Sequence, residues 1–135
     1  VIGTFNNPSD KRLKTNINPL KNSLDKIKLL NVYTYDFEPK GDYRYLNLPK
    51  GNQFGFLAQE LETVFPELVR DNKVPTKGQN EKDEMFITDA TYKSVNNIGL
   101  IPVLTKAIQE QQEQMETMKT YIELLEERIN KLENK

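Results

Sequence analysis

In the last third of the chain, Ile101, Leu104, Ile108, Gln111, Met115, Met118, Ile122, Leu125, Ile129 and Leu132 follow one another at alternating spacings of three and four. That rhythm draws one narrow stripe along a helix, the a/d seam of a coiled coil, with Ile or Met at a and mostly Leu or Met at d. A helix resting on a globule shows a broader apolar face. Here the e and g flanks hold Gln112, Lys119, Glu126, Arg128 and Glu133 instead. Beyond Pro102 neither Pro nor Gly interrupts the run. At about 1.5 Å per residue, the coil would be on the order of 48 Å long.

The flanks also carry direction. In a parallel coil, a g residue faces the e residue of the next heptad on its neighbour. Arg128 then meets Glu133 with opposite charge, and Gln114 meets Lys119 without repulsion. Parallel association of identical chains follows. Ile at a with Leu at d leans toward two strands, while the Met and Gln layers do not discriminate, so the heptads leave strand number open. Gln111 is either satisfied in a ring of identical glutamines or an imperfection near the mouth of the coil.

A chain of 135 residues is about one domain long, taking roughly 100–200 residues per domain. With 36% hydrophobic and 29% charged residues it is polar for a globule, as a chain with a long exposed helix should be. Nineteen basic and twenty acidic residues leave a net charge of −1 with no long run of one sign, which disfavours nucleic acid or anionic membrane as a partner. No stretch approaches the roughly 20 consecutive apolar residues of a membrane span. The chain starts Val1-Ile2-Gly3, with no signal-peptide pattern, and is expected to be a segment of a longer polypeptide. Absence of cysteine fits any compartment.

The first hundred residues read as a small mixed domain, so the fold class is α+β: a helix and strand head followed by a long helix. Leu20, Leu24, Ile27 and Leu30 recur at helical spacing after Asn18-Pro19, and Asn31 ends that helix. Val32 to Phe37 alternates as a strand. Residues 39–52, with Pro39, Gly41, Pro49 and Gly51, are a loop or hairpin. Gln53 to Leu57 is a second strand, leading into a helix over Ala58 to Val64 that Phe65-Pro66 stops. Residues 70–84 are polar, with Pro75 and Gly78, and read as an exposed arm. Met85-Phe86-Ile87 is a short third strand. The resulting core is small for a free monomer. Tyr33, Tyr35, Phe37, Phe54 and Phe56 read as core and intersubunit packing.

The chain has no histidine and no cysteine. That removes a Ser-His-Asp triad, a cysteine nucleophile and a His/Cys metal cage, and no metal or other cofactor is expected. A Ser-Lys pair is the covalent chemistry left. Ser9-Asp10-Lys11-Arg12-Leu13-Lys14 offers one, with the lysine five residues after the serine. Alone, such a stretch reads as a helix or turn cap at Ser9 beside a solvated basic patch of Lys11, Arg12 and Lys14.

Four motifs in order give it weight. They are Ser9-Asp10-x-Arg12-Leu13-Lys14-x-Asn16-Ile17; Tyr35-Asp36-Phe37; Gly55-Phe56-Leu57-Ala58-Gln59-Glu60-Leu61 with Phe65-Pro66-Glu67-Leu68-Val69; and Leu100-Ile101-Pro102-Val103-Leu104-x-Lys106-Ala107-Ile108-Gln109-Glu110. Together they resemble the C-terminal intramolecular chaperone domain of phage tailspikes, tail fibres and endosialidases, which is similar to a domain of myelin regulatory factors. The likeness covers residue 9 to about 115. Asn96-Asn97 stand near a position where that family often has a tyrosine.

The resemblance implies a homotrimer at the end of a fibrous protein, which registers three chains and then cuts itself off. It implies Ser9 as nucleophile, Lys14 as general base and Pro8-Ser9 as the scissile bond. Asp10, Arg12 and Asn16 are expected to orient the cleavage loop. Partners would be two further copies and the chain's own upstream fibrous region. The setting would be a phage tail fibre assembled in the bacterial cytoplasm, or a bacterial surface or secreted protein. The alternative is a permanent trimeric cap that never cleaves. The boundaries expected are 1–8 for the end of the upstream region, 9–100 for the chaperone domain and 101–135 for the coil.

The chemistry sets a condition. Lysine is a base only when neutral, and its ordinary pKa is roughly 10.4. Lys14 must therefore lose solvent on assembly or sit beside other cations; on an extended chain Arg12 would share its side. Gln59 and Glu60 open a helix after a strand and could orient a developing oxyanion. Alternatively, Glu60 complements the helix N-terminus and Gln59 bonds the backbone.

Overall fold

The computed structural model describes residues 6–44, 46–77 and 85–135. Helix α1 spans Ser23–Ile27, strand β1 Tyr33–Tyr35, strand β2 Gln53–Gly55, helix α2 Ala58–Val64, strand β3 Val69–Lys77, strand β4 Met85–Val95 and helix α3 Leu100–Glu133. The class is α+β, with two separate two-stranded antiparallel sheets, β1-β2 and β3-β4. Thr34 pairs with Phe54 at the centre of the first. In the second, Val69 pairs with Val95 and Lys77 with Met85.

The polar stretch after Val69 is not a free arm. Residues 70–77 belong to β3, and the short strand read at Met85-Phe86-Ile87 is the start of the eleven-residue β4; residues 78–84 lie outside the described residues. Both strands of a two-stranded ribbon are edges, where polar residues and a proline are tolerated. Around Pro75 the register shifts, between Lys73 and Pro75. Val74 beside it is fully buried. The ribbon base is tied to α2 by Lys93 Nζ, which donates to Glu62 Oε1 at 3.0 Å and Asp71 Oδ1 at 2.9 Å.

Helix α1 is also shorter than the periodicity of Leu20 to Leu30 predicts. Asn22 precedes it in the left-handed region (φ 56°), a conformation asparagine tolerates, and this reversal keeps Leu20 out of the helix.

The core is Leu61 and Phe65 from and after α2, Val69 from β3, and Leu100 and Val103 from α3, with Ile27, Leu30, Phe56, Leu68 and Val95 packed around it. The long helix therefore begins inside the head. Its entry is tight: a Cβ on Gly99 would run into the end of the Leu68 side chain, which would have to shift to admit it. Asn96 Oδ1 accepts from the Gly99 amide at 3.1 Å and closes the turn that leads into the helix.

Two faces of α3 diverge. Leu100, Val103 and Ala107 are 4%, 7% and 5% exposed, against the head. Ile101, Leu104 and Ile108, each one residue further on, are 60%, 45% and 65% exposed. The rest of the apolar seam, from Met115 to Leu132, is likewise open in the single chain.

Candidate functional site

Asp10 organises the N-terminal site. Its carboxylate accepts from the Arg12 amide at 2.8 Å and so caps a single 3-10 turn over Lys11–Leu13. Two further backbone bonds close the turn, from Leu13 N to Asp10 O at 3.0 Å and Lys14 N to Lys11 O at 3.1 Å. The turn shortens the path between positions 9 and 14, and Lys14 Nζ donates to Ser9 Oγ at 2.7 Å.

This is not the extended geometry in which Arg12 would stand beside Lys14. Arg12 turns back instead and grips Asp10, with Nε 3.1 and 3.2 Å from the two carboxylate oxygens and NH2 2.7 Å from Oδ2. The fork holds the Asp10 carboxyl below the usual carboxylate range, chiefly through the guanidinium and then through the Arg12 amide. In return Asp10 raises the Arg12 guanidinium. The positive charge of Arg12 is thus largely spent on its neighbour.

Asn16 stands just beyond in the left-handed region (φ 53°), and its carbonyl accepts from Asn18 Nδ2 at 2.9 Å. It bends the chain away from the pair. Ser9, Lys14 and their neighbours are all exposed. The pair thus lies within hydrogen-bond distance on an open surface.

Gln59 and Glu60 take no part in this hydrogen-bond group among the described residues. Glu60 accepts from the Tyr33 hydroxyl at 3.0 Å on each oxygen and from Asn31 Nδ2 at 3.0 Å, which fastens β1 to the start of α2. That bond to a carboxylate is the main reason the Tyr33 phenol is raised, followed by burial and the Glu60 charge. Gln59 is exposed.

The sequence reading passed over Glu110. From the third turn of α3 its carboxylate accepts from the Leu24 amide at 2.8 Å and the Ser23 amide at 3.3 Å. Asn22 supplies no side-chain cap, so Glu110 caps α1 from across the molecule. These bonds, led by Leu24, hold Glu110 below the usual carboxylate range, with Lys106 nearby helping. The signal was present as the last letter of the fourth motif, but a cap 86 residues away in sequence is invisible without the fold. Among the described residues no His/Cys/Asp/Glu group could hold a metal ion, and no helix is long and apolar enough to cross a membrane.

The turn, Asn16, α1, both β1-β2 strands and α2 all lie within residues 9–70, which match the peptidase family described as "Chaperone of endosialidase". A solved structure described as a novel intramolecular chaperon shares the fold at a TM-score of 0.53 and 20% identity, over 78% of this chain and 99% of that one. Residues 9–70 thus resemble the endosialidase-chaperone family, and the chain shares its fold with that solved structure. Long tail fiber protein Gp37 of Salmonella phage S16 is 30% identical over 121 residues, 90% of this chain and 15% of that protein. The protein of the same name in Enterobacteria phage Ox2 is 34% identical over 113 residues, 83% of this chain and 39% of its relative. An uncharacterized Dictyostelium discoideum protein is 29% identical over 142 residues, 98% of this chain and 12% of that protein. The chain spans well under half of each of these relatives.

Proposed function

We propose that this is the intramolecular chaperone of a tail-fibre-like protein, which gathers three copies in parallel through α3 and then releases itself at Pro8-Ser9. Residues 1–8 are then the end of the upstream fibre, 9–100 the chaperone head and 101–135 the coil. The observation that carries the reading is Lys14 Nζ lying 2.7 Å from Ser9 Oγ inside the family segment. The relatives named as long tail fiber proteins support the upstream partner, and the open seam of α3 supports assembly.

In the proposed reaction neutral Lys14 takes the Ser9 hydroxyl proton as Oγ attacks the Pro8 carbonyl carbon. The Pro8–Ser9 C–N bond breaks, and Lys14 returns the proton to the departing Ser9 nitrogen. Water then hydrolyses the Pro8 ester, freeing residues 9–135 once per chain. Asp10 and Arg12 are positioning residues that hold the turn. Because Ser9 and Lys14 are exposed in the single chain, the base becomes competent only where assembly removes water from it. Cleavage would then report completed folding.

The same exposure favours a second reading, a trimeric cap that never cuts. Expression with the natural upstream region, followed by a denaturing gel, separates the two. The cleaving reading expects a released fragment from wild type and none from Ser9→Ala or Lys14→Ala, with all three assembling alike. Cleavage by Lys14→Ala refutes the dyad, and an uncut wild-type trimer leaves the cap.

A further inference from the structure

The segment that carries Ser9 and Lys14 lies on the surface. Residues 6–22 are all exposed, and the first buried residue among those described is Ser23, at 2%. Among the described residues, every hydrogen bond and ion pair made by residues 9–21 stays within residues 9–18. The turn is therefore ordered within itself, and its own bonds do not fix where it stands against the body. Pro19 and Leu20 run beside α3, lining a groove with Ile101 and Pro102. The first polar anchor is the Glu110 carboxylate, 2.8 Å from the Leu24 amide and 3.3 Å from the Ser23 amide. Resting on the reading that Ser9 and Lys14 cut the chain, we propose that Glu110 is a positioning residue of that reaction. Through Ser23 and Leu24 it holds the cleavage segment to the helix that assembles the chains.

Helix α1 is five residues long, and a helix that short has no stability of its own. Asn22 gives it no side-chain cap, so the amides at its start depend on Glu110. A carboxylate suits the task, because its bonds to backbone amides are charge-assisted. Between Lys14 and this anchor lie only residues 15–22, and they are bent at fixed points. Asn16 and Asn22 are left-handed (φ 53° and 56°), and Pro19 between them has its φ set by its ring. A chain so constrained passes the position of Ser23 back to the turn instead of swinging freely. On α3, Glu110 directly precedes Gln111, a d position of the seam. The alignment of the coil and the placement of the site thus meet in one helical turn, and aligned seams hold each chain's site at the same height beside the coil.

The test uses the full chain with its natural upstream region. Cleavage is followed in time on a denaturing gel, with mass by light scattering and fold by near-UV circular dichroism on the same sample. Glu110→Ala should keep the wild-type mass and fold yet cleave about two- to thirtyfold more slowly, the range of a lost helix cap expressed as a rate. Glu110→Gln, whose amide oxygen still accepts from the Ser23 and Leu24 amides, should recover most of that rate. A bond that only stabilised the head would leave the rate unchanged in a fully folded chain. Lys93→Met supplies that comparison, since it cuts the ties to Glu62 and Asp71 and none to α1, and it should cleave at the wild-type rate. Glu110→Ala cutting as fast as wild type, Glu110→Gln cutting as slowly as Glu110→Ala, or Lys93→Met slowed equally overturns the assignment and leaves Ser9-Lys14 cleavage in place. An uncut wild type overturns both. Should Glu110→Ala not assemble, Glu110→Asp decides. One methylene shorter, it draws the carboxylate back from the amides and should slow cleavage at unchanged mass; a wild-type rate overturns the proposal.

Discussion

The two apolar stripes of α3 are made of the same kinds of residue, one position apart, yet one is buried by the chain's own head and the other is not. Leu100, Val103 and Ala107 complete a core with Leu61 and Phe65, whereas Ile101, Leu104 and Ile108 begin a seam left open down to Leu132. Intrachain packing consumes one face in the first two turns and cannot reach the other. The helix thus serves as wall of the head and, in the proposed trimer, as assembly surface at once, so that whatever aligns the seams would also place the heads. The N-terminal turn, by contrast, is local and wet: its bonds join residues two to five apart.

The largest expected effect breaks the open stripe alone. Ile122→Asp with Leu125→Asp should reduce the light-scattering mass to that of one chain while the near-UV circular dichroism of the head's tyrosines persists. A retained trimer would mean that the seam is not the assembly surface.

Truncating the core that the buried stripe completes should do the reverse. Leu61→Ala removes a side chain that is almost wholly buried and should cost about 2–5 kcal/mol of head stability in urea unfolding. The coil should still associate. Loss of assembly at the same urea concentration would show that the two faces are one cooperative unit.

At the junction, Gly99→Ala forces a methyl group into the Leu68 side chain and should cost roughly 1–3 kcal/mol, the range for overpacking. A neutral result would mean that Leu68 shifts freely and that the helix entry is looser than its geometry.

The smallest effect is the acid response of the bond between α1 and α3. The Glu110 carboxyl is lower in the folded chain than its ordinary value of roughly 4.3, so more protons bind when the chain is unfolded. Its contribution is complete above that ordinary value and is lost as pH falls through the lower folded value. Glu110→Gln should therefore reduce the melting temperature at pH 7 and flatten its decline between pH 5 and pH 3. Equal slopes in the two proteins would rule out Glu110 as the group responsible.

Much was legible from residues alone. The heptad run predicted α3, and Phe65-Pro66 stopped α2 at the expected place. Ser9 and Lys14 were readable as a pair five residues apart, whereas the turn that Asp10 caps between them was not, because the stretch reads equally well as extended chain. The ribbon was missed because an isolated two-stranded sheet needs no apolar alternation, and polar residues with a proline look the same in a loop. Arg12 was misread for a related reason: on an extended chain it faces Lys14, and only the turn swings it onto Asp10.

What the sequence by itself determined is whatever local spacing can encode: the helix with its seam, the serine and lysine five residues apart, and by elimination the Ser-Lys pair as the covalent chemistry left to a chain without histidine or cysteine. The tertiary structure alone decided which of α3's two stripes the head would bury, that Glu110 would cap a helix whose own residues could not, and that Glu60 would bind Tyr33. The two hydrogen-bonded outcomes join groups 27 to 87 residues apart. Apolar burial is non-directional, so several faces could satisfy it, and the choice falls to the packing that also pairs the buried polar groups.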